Sequence, residues 1–179
     1  MSDSAMQRLS TRVLRALGGV VGARLRSVLY FHVTEEITPE DLLLEPQVIR
    51  GEVQLDFDGC APIWITWEEN AGWTDHFSLQ VRASPANLPG LPFLNASGCP
   101  LWQRQVGTVL ESAEVLGERG TPHVLCLGFA AGTVLIGNGD GEHVPPLKLF
   151  GDMDQVVVIS RDEAARRGEL TNLVQLGCV

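Results

Sequence analysis

The sequence predicts an α+β domain that is mostly antiparallel β, an internally duplicated sheet arranged as a sandwich or a partly open barrel, with an N-terminal helix and a short C-terminal helix. Three observations carry this. Apolar and polar residues alternate in short runs separated by Gly, Pro, Asn and Asp, which is the pattern of half-buried strands. Clear helical spacing or capping occurs near the two ends of the chain. Two stretches also open alike, Val21-Gly22-x-x-Leu25-x-Ser27 and Val106-Gly107-x-x-Leu110-x-Ser112, and each is followed by a Leu-x-Phe strand, Leu55-x-Phe57 and Leu127-x-Phe129.

Taken in order, Met6, Leu9, Val13 and Leu17 recur at spacings of three and four, and Gly18-Gly19 supplies a stop. The apolar stripe of this helix is expected to dock on the protein's own core, with Arg8, Arg12 and Arg15 largely on the other side. An Arg-containing amphipathic N-terminus also suits a transit peptide or a membrane-surface helix. Residues 20–33 read as a strand entered through Gly22, with Val28 and Tyr30 on one face and Leu29, Phe31 and Val33 on the other. Thr34 to Pro46 is an acidic excursion with two prolines. Val48 to Trp67 reads as a hairpin about Asp58-Gly59, whose return strand places Ile63, Ile65 and Trp67 on one face and Trp64 and Thr66 on the other. Phe77, Leu79 and Val81 mark a third strand.

Ser84 to Pro100 holds four prolines, two glycines and two asparagines, and is expected to be an irregular connection. A short helix anchored by Leu101 and Trp102 leads into strands at Val106–Val115, His123–Phe129 and Thr133–Ile136. Gln155–Ser160 has a continuous apolar run that predicts burial on both faces. Ser160 then caps a helix of about two turns, with Glu163 three residues on and Gly168 as the stop. Leu170–Val179 is left as a terminal strand or a segment packed across the core. The total expected is about seven to nine strands.

Within a single domain spanning 1–179, the two candidate copies are 20–82 and 105–160, joined by the Pro-rich connection 84–100. Their offset is 85 residues at the glycines and 72 at the phenylalanines, and the acidic excursion of the first copy accounts for the difference. The competing explanation is that Val, Leu and Gly recur in any sheet.

Composition narrows the function classes. The formal net charge is −9, but residues 1–26 carry five arginines against Asp3 alone, whereas the rest holds 8 basic and 21 acidic residues, a net of −13. An acidic body repels phosphate backbones, which argues against direct nucleic-acid binding and favours a basic protein partner; it also serves solubility. No apolar run reaches the length of about 20 residues that a membrane span needs. Cys60, Cys99, Cys126 and Cys178 are far apart, without zinc-site spacing, and read as reduced thiols of a cytoplasmic protein without a signal peptide.

Candidate site residues collect after the first hairpin: Trp67, Glu68, Glu69, Trp73, Asp75 and His76. Tryptophans with an acidic rim suit a protein-binding hot spot, although Trp67 shares the apolar face and also reads as core. Glu68, Asp75 and His76 could poise acid–base or metal chemistry, against which stands an ordinary solvated loop. Asn138 to His143 is oxygen-rich but lacks the order of a calcium loop, and there is no phosphate-binding glycine motif or nucleophile elbow. The expectation is therefore a noncatalytic binding protein of the regulatory or immunity type that engages a basic protein, with no cofactor and no metal. A small-ligand-binding β domain comes second and an enzyme using Glu68, Asp75 and His76 third.

Overall fold

In a computed structural model of the chain, residues 3–32, 38–69, 77–85, 92–118, 121–139, 155–171 and 173–179 are described. The chain enters through α1 (Asp3–Gly18), which buries Val13 and Leu17 in the interior and leaves Arg12 and Arg15 exposed, so the helix docks on the protein's own core. The first sheet contains β1 (Leu25–His32), β3 (Gly51–Phe57), β4 (Ile63–Glu69), β5 (Phe77–Arg82) and β6 (Phe93–Asn95), in the order β5-β4-β3-β1-β6. The second contains β2 (Gln47–Ile49), β7 (Leu110–Glu118), β8 (Thr121–Phe129), β9 (Gly132–Gly139), β10 (Gln155–Ser160) and β11 (Val174–Cys178), in the order β11-β7-β8-β9-β10-β2. All of these ladders are antiparallel. The two sheets pack face to face and do not close into a barrel.

Strand alternation supplies one shared core. Val28 and Tyr30, Val53, Leu55 and Phe57, Ile63 and Ile65, and Leu79 and Val81 point inward from the first sheet. Ile49, Ala113 and Val115, Leu125 and Leu127, Val134 and Ile136, and Val156 and Val158 meet them from the second. The opposite face of the second sheet is also apolar. Val124, Cys126, Leu135, Val157 and Ile159 lie beneath Ala164 of α3 (Arg161–Arg167), with Leu170 and Leu173 beside them. That second layer explains the unbroken Val-Val-Val-Ile run of β10. Ser160 Oγ accepts from the Glu163 N–H at 3.3 Å, and Gly168 closes α3 with φ 77°.

Each sheet is built on a four-strand meander, β1-β3-β4-β5 and β7-β8-β9-β10, and the junction between the two is reciprocal. The Gly22 N–H donates to the Leu110 carbonyl at 2.8 Å, and the Gly107 N–H to the Leu25 carbonyl at 2.8 Å. Leu25 N–H donates to Thr108 and Leu110 N–H to Ala23, both at 2.9 Å, around an isolated Arg24–Val109 bridge. Gly22 and Gly107 have φ of 88° and 86°, a left-handed conformation that glycine adopts without steric cost. The turns before them match as well: Val20, Val21 and Ala23 donate to Leu17, Leu17 and Val20, as Gln105, Val106 and Thr108 donate to Trp102, Trp102 and Gln105. Registers agree too, Leu25 with Phe57 and Leu110 with Phe129, each followed by a bulge that ends at Ser27 or Ser112.

Eleven strands are present among the described residues, more than the seven to nine expected. The Val48–Trp67 run breaks at Arg50, so that Val48 and Ile49 pair with β10 in the second sheet while β3 pairs with β1 in the first. Period-two alternation identifies a strand but does not choose its neighbour. β6 arises inside the Pro-rich connection, and the terminal segment forms β11 against β7. A buried polar chain ties the sheets across the core. Tyr30 Oη donates to Gln47 Oε1 at 2.6 Å and accepts from Trp102 Nε1 at 2.5 Å, while Gln47 Nε2 donates to the Leu42 carbonyl at 2.8 Å.

Candidate functional site

The first sheet turns a mixed aromatic and acidic face outward. Alternation puts Ser27, Leu29 and Phe31 of β1, Glu52, Gln54 and Asp56 of β3, and Trp64, Thr66 and Glu68 of β4 on this side, away from the core residues between them. Phe31 stands opposite Glu52 on one flank and Phe93 on the other, and Gln54 stands opposite Trp64. The register therefore brings together three aromatic residues that are distant in sequence. The Phe31 and Trp64 rings lie with centroids 5.0 Å apart, and those of Phe31 and Phe93 5.6 Å apart. Phe31 and Trp64 are half-buried, whereas Phe93 at the sheet edge is 62% exposed.

Polar groups frame the row. Asp56 accepts from Ser27 Oγ at 2.6 Å and from Gln54 Nε2 at 2.7 Å, which holds its carboxylate in place. Arg82 stands opposite Trp64 on β5 and pairs with Glu68 at 3.5 Å. This pair is partly exposed, so it contributes little stability and leaves both groups accessible to a partner. Glu52 is fully buried on the same face, as are Thr66 and Gln80 nearly so.

The six residues singled out from the sequence divide. Trp67 turns toward the core side, where it meets Phe77 edge to face at 5.2 Å between centroids. Glu68 turns outward. Of Glu69 only the backbone is described, and Trp73, Asp75 and His76 lie outside the described residues. Of the oxygen-rich stretch, Asn138 is a buried residue of β9 that faces His123 Nδ1 at 3.2 Å and donates to the Phe77 carbonyl at 3.3 Å, while residues 140–143 lie outside the described set. Among the described residues no three His, Cys, Asp or Glu side chains gather as a metal site would require.

The perturbed ionisable groups lie elsewhere. Burial pushes the Tyr30 hydroxyl well above its usual range, partly opposed by the hydrogen bond from Trp102. Burial likewise raises the Cys126 thiol to about 12. The Arg167 and Arg166 guanidinium groups lower the partly buried Glu163 carboxyl. Tyr30 belongs to the inter-sheet core, Cys126 to the layer under α3, and Glu163 to α3 itself, where each has a structural role.

Sequence reasoning placed Trp64 opposite to Ile63 and Ile65, but it did not link Trp64 to Phe31 and Phe93. The signal was the alternation itself; the missing fact was the β1–β6 pairing, hidden in a stretch rich in proline. No protein-family model matches the chain, and neither the curated proteins nor the solved structures include a match. No helix of the described residues is long and apolar enough to cross a membrane.

Proposed function

We propose that this chain is a noncatalytic binding protein, of the regulatory or immunity type, that occupies a basic surface on another protein through the outer face of its first sheet. The observation that carries the reading is the Trp64–Phe31–Phe93 row, open to solvent at Phe93 and set beside Asp56 and Glu68. Large rigid rings gain contact area at low entropic cost, and acidic groups around them steer a basic partner and raise its rate of encounter. Glu69, Trp73, Asp75 and His76, which follow Glu68 in the sequence, are proposed to join the contact. The four free cysteines support a reducing, cytoplasmic setting. We also infer that the meanders 20–82 and 105–160 are copies of one unit, a reading supported by the matched hydrogen bonds at Gly22 and Gly107.

Affinity capture from a lysate of the source cells tests the binding reading, using the wild-type chain, a Trp64→Ala/Phe93→Ser variant, and a Glu68→Gln/Glu69→Gln variant. The expected result is a basic protein that is released as salt shortens the screening length from about 10 Å at 0.1 M toward about 3 Å at 1 M, and that the variants retain poorly. Recovery of only a small molecule, or of an acidic protein, would sink the proposal. A basic partner held equally by every variant would move the site to another face.

A further inference from the structure

We infer that two copies of this chain associate by pairing their β11 strands antiparallel about a two-fold axis, which joins the two second sheets into one continuous sheet. This goes beyond the binding reading above and uses a different part of the surface. The edges of the two sheets are managed unequally. In the first sheet, α1 packs against the edge strand β5, whose Ser78, Leu79, Gln80 and Val81 are all buried. The other edge, β6, has three residues and is followed by α2 (Pro100–Gln103), where Leu101 and Trp102 are buried. In the second sheet the edge strand β2 also has three residues, and its buried Gln47 donates to the carbonyl of the buried Leu42. Short or covered edges of this kind offer little ladder to another chain.

β11 differs from these edges. It ends the second sheet, and Val174, Gln175, Cys178 and Val179 are exposed, Val174 by 57% and Val179 by 43%. Residues 174–179 contain no charged residue and no proline, the residue types that blunt an edge. Leu176 packs on the core and Gly177 stands against Leu14 of α1, so the strand is held in place before any partner arrives. Ala113 and Val179 exchange both backbone bonds at 2.9 Å, and the alternation of an antiparallel ladder therefore turns the N–H and C=O of Cys178 away from β7, toward the open edge. Leu176 is the extra residue of a bulge in the β11–β7 ladder, which raises the local twist and keeps the new pairing short, so the dimer is weak.

The chemistry of this edge selects a second copy. Each chain carries a net charge of −9, and a neutral strand is where two such chains approach with least repulsion. The cations of a basic partner find no counterpart on it, whereas a two-fold axis sets the same neutral residues of both copies side by side. Among the described strands β11 is the one edge that is both longer than three residues and largely exposed, so its pairing closes the assembly at two.

Sedimentation of the full chain from about 10 μM to about 1 mM tests the inference, with reductant present so that Cys178 forms no disulfide. The expected result is a dimer that grows with concentration and strengthens as salt rises, because salt screens the repulsion between two like-charged chains. Capture of a basic partner has the opposite salt dependence, so the two readings fail separately. Val174→Glu and Gln175→Glu lie at exposed positions that the fold does not rely on, and each brings like charges together near the axis. Each is expected to weaken the dimer at least about tenfold. Hydrogen exchange at the Cys178 amide should slow at high concentration in the wild type and not in the variants. A monomer across the whole range, a dimer weakened by salt, growth beyond two copies, or a dimer that both variants leave intact would overturn the inference.

Discussion

Replacing Tyr30 with phenylalanine probes the polar chain that joins the two sheets. The hydroxyl is fully buried, donates to Gln47 Oε1 at 2.6 Å and accepts from Trp102 Nε1 at 2.5 Å. Its loss strands a buried acceptor and a buried donor, each of which costs about 1–3 kcal/mol when unsatisfied. Relief of the hydroxyl's own desolvation offsets part of this, which leaves a net loss of about 2–4 kcal/mol. For a chain of this size that corresponds to a fall in Tm of about 6–12 °C. Urea titration followed by tryptophan fluorescence measures it, with an unchanged m-value showing that the native state keeps its compactness. Adding Gln47→Met to Tyr30→Phe completes a double-mutant cycle, in which a coupling of about 1–2 kcal/mol is expected. A loss below about 0.5 kcal/mol, or no coupling, would refute the claim that this network ties the sheets together.

Other expectations follow from the same geometry. Gly22→Ala and Gly107→Ala each place a side chain in a left-handed conformation with no neighbour within 4 Å of the added carbon, so both should lose about 1–2 kcal/mol by urea titration. Losses that differ by more than about 1 kcal/mol would contradict a reciprocal junction. Ser160→Ala removes the cap of α3 and should cost about 1 kcal/mol by thermal melting, while Ser160→Gly should cost only a few tenths. The Cys126 thiol titrates near 12 when folded but near 8.5 when unfolded, so the unfolded state loses its proton first and stability falls as pH rises between those values, by at most about 1.4 kcal/mol per unit. Cys126→Ser should flatten that alkaline limb in urea titrations at pH 8 to 10. In native alkylation read by mass spectrometry, the exposed Cys178 should react well before Cys126.

The fold was readable where a local pattern had one physical solution. Ser160, Glu163 and Gly168 define a capped helix within nine residues, and the alternation of Val53, Leu55 and Phe57 assigns an inward face without reference to any partner. The Val156–Ile159 run implied two apolar layers, and α3 supplies the second. Pairing was less legible. Val48 and Ile49 read as the start of β3, yet the bend at Arg50 sends them to the opposite sheet, since alternation says nothing about which strand lies alongside. The site suffered from the same gap. Trp67 and Glu68 are neighbours in sequence but face opposite sides of β4, whereas Trp64, Phe31 and Phe93 meet only through two ladders. A search for adjacent residues therefore favoured the β4–β5 connection over the face beside it.

Hydrogen exchange of the full chain, free and bound to its captured partner, tests most directly whether the outer face of the first sheet is where the partner sits. Slowed exchange is expected in residues 27–31, 63–68 and 93–95, with residues 155–167 unchanged because α3 already covers the outer face of the second sheet. Protection confined to α1, β11 or α3, with the first sheet unaffected, would contradict the account.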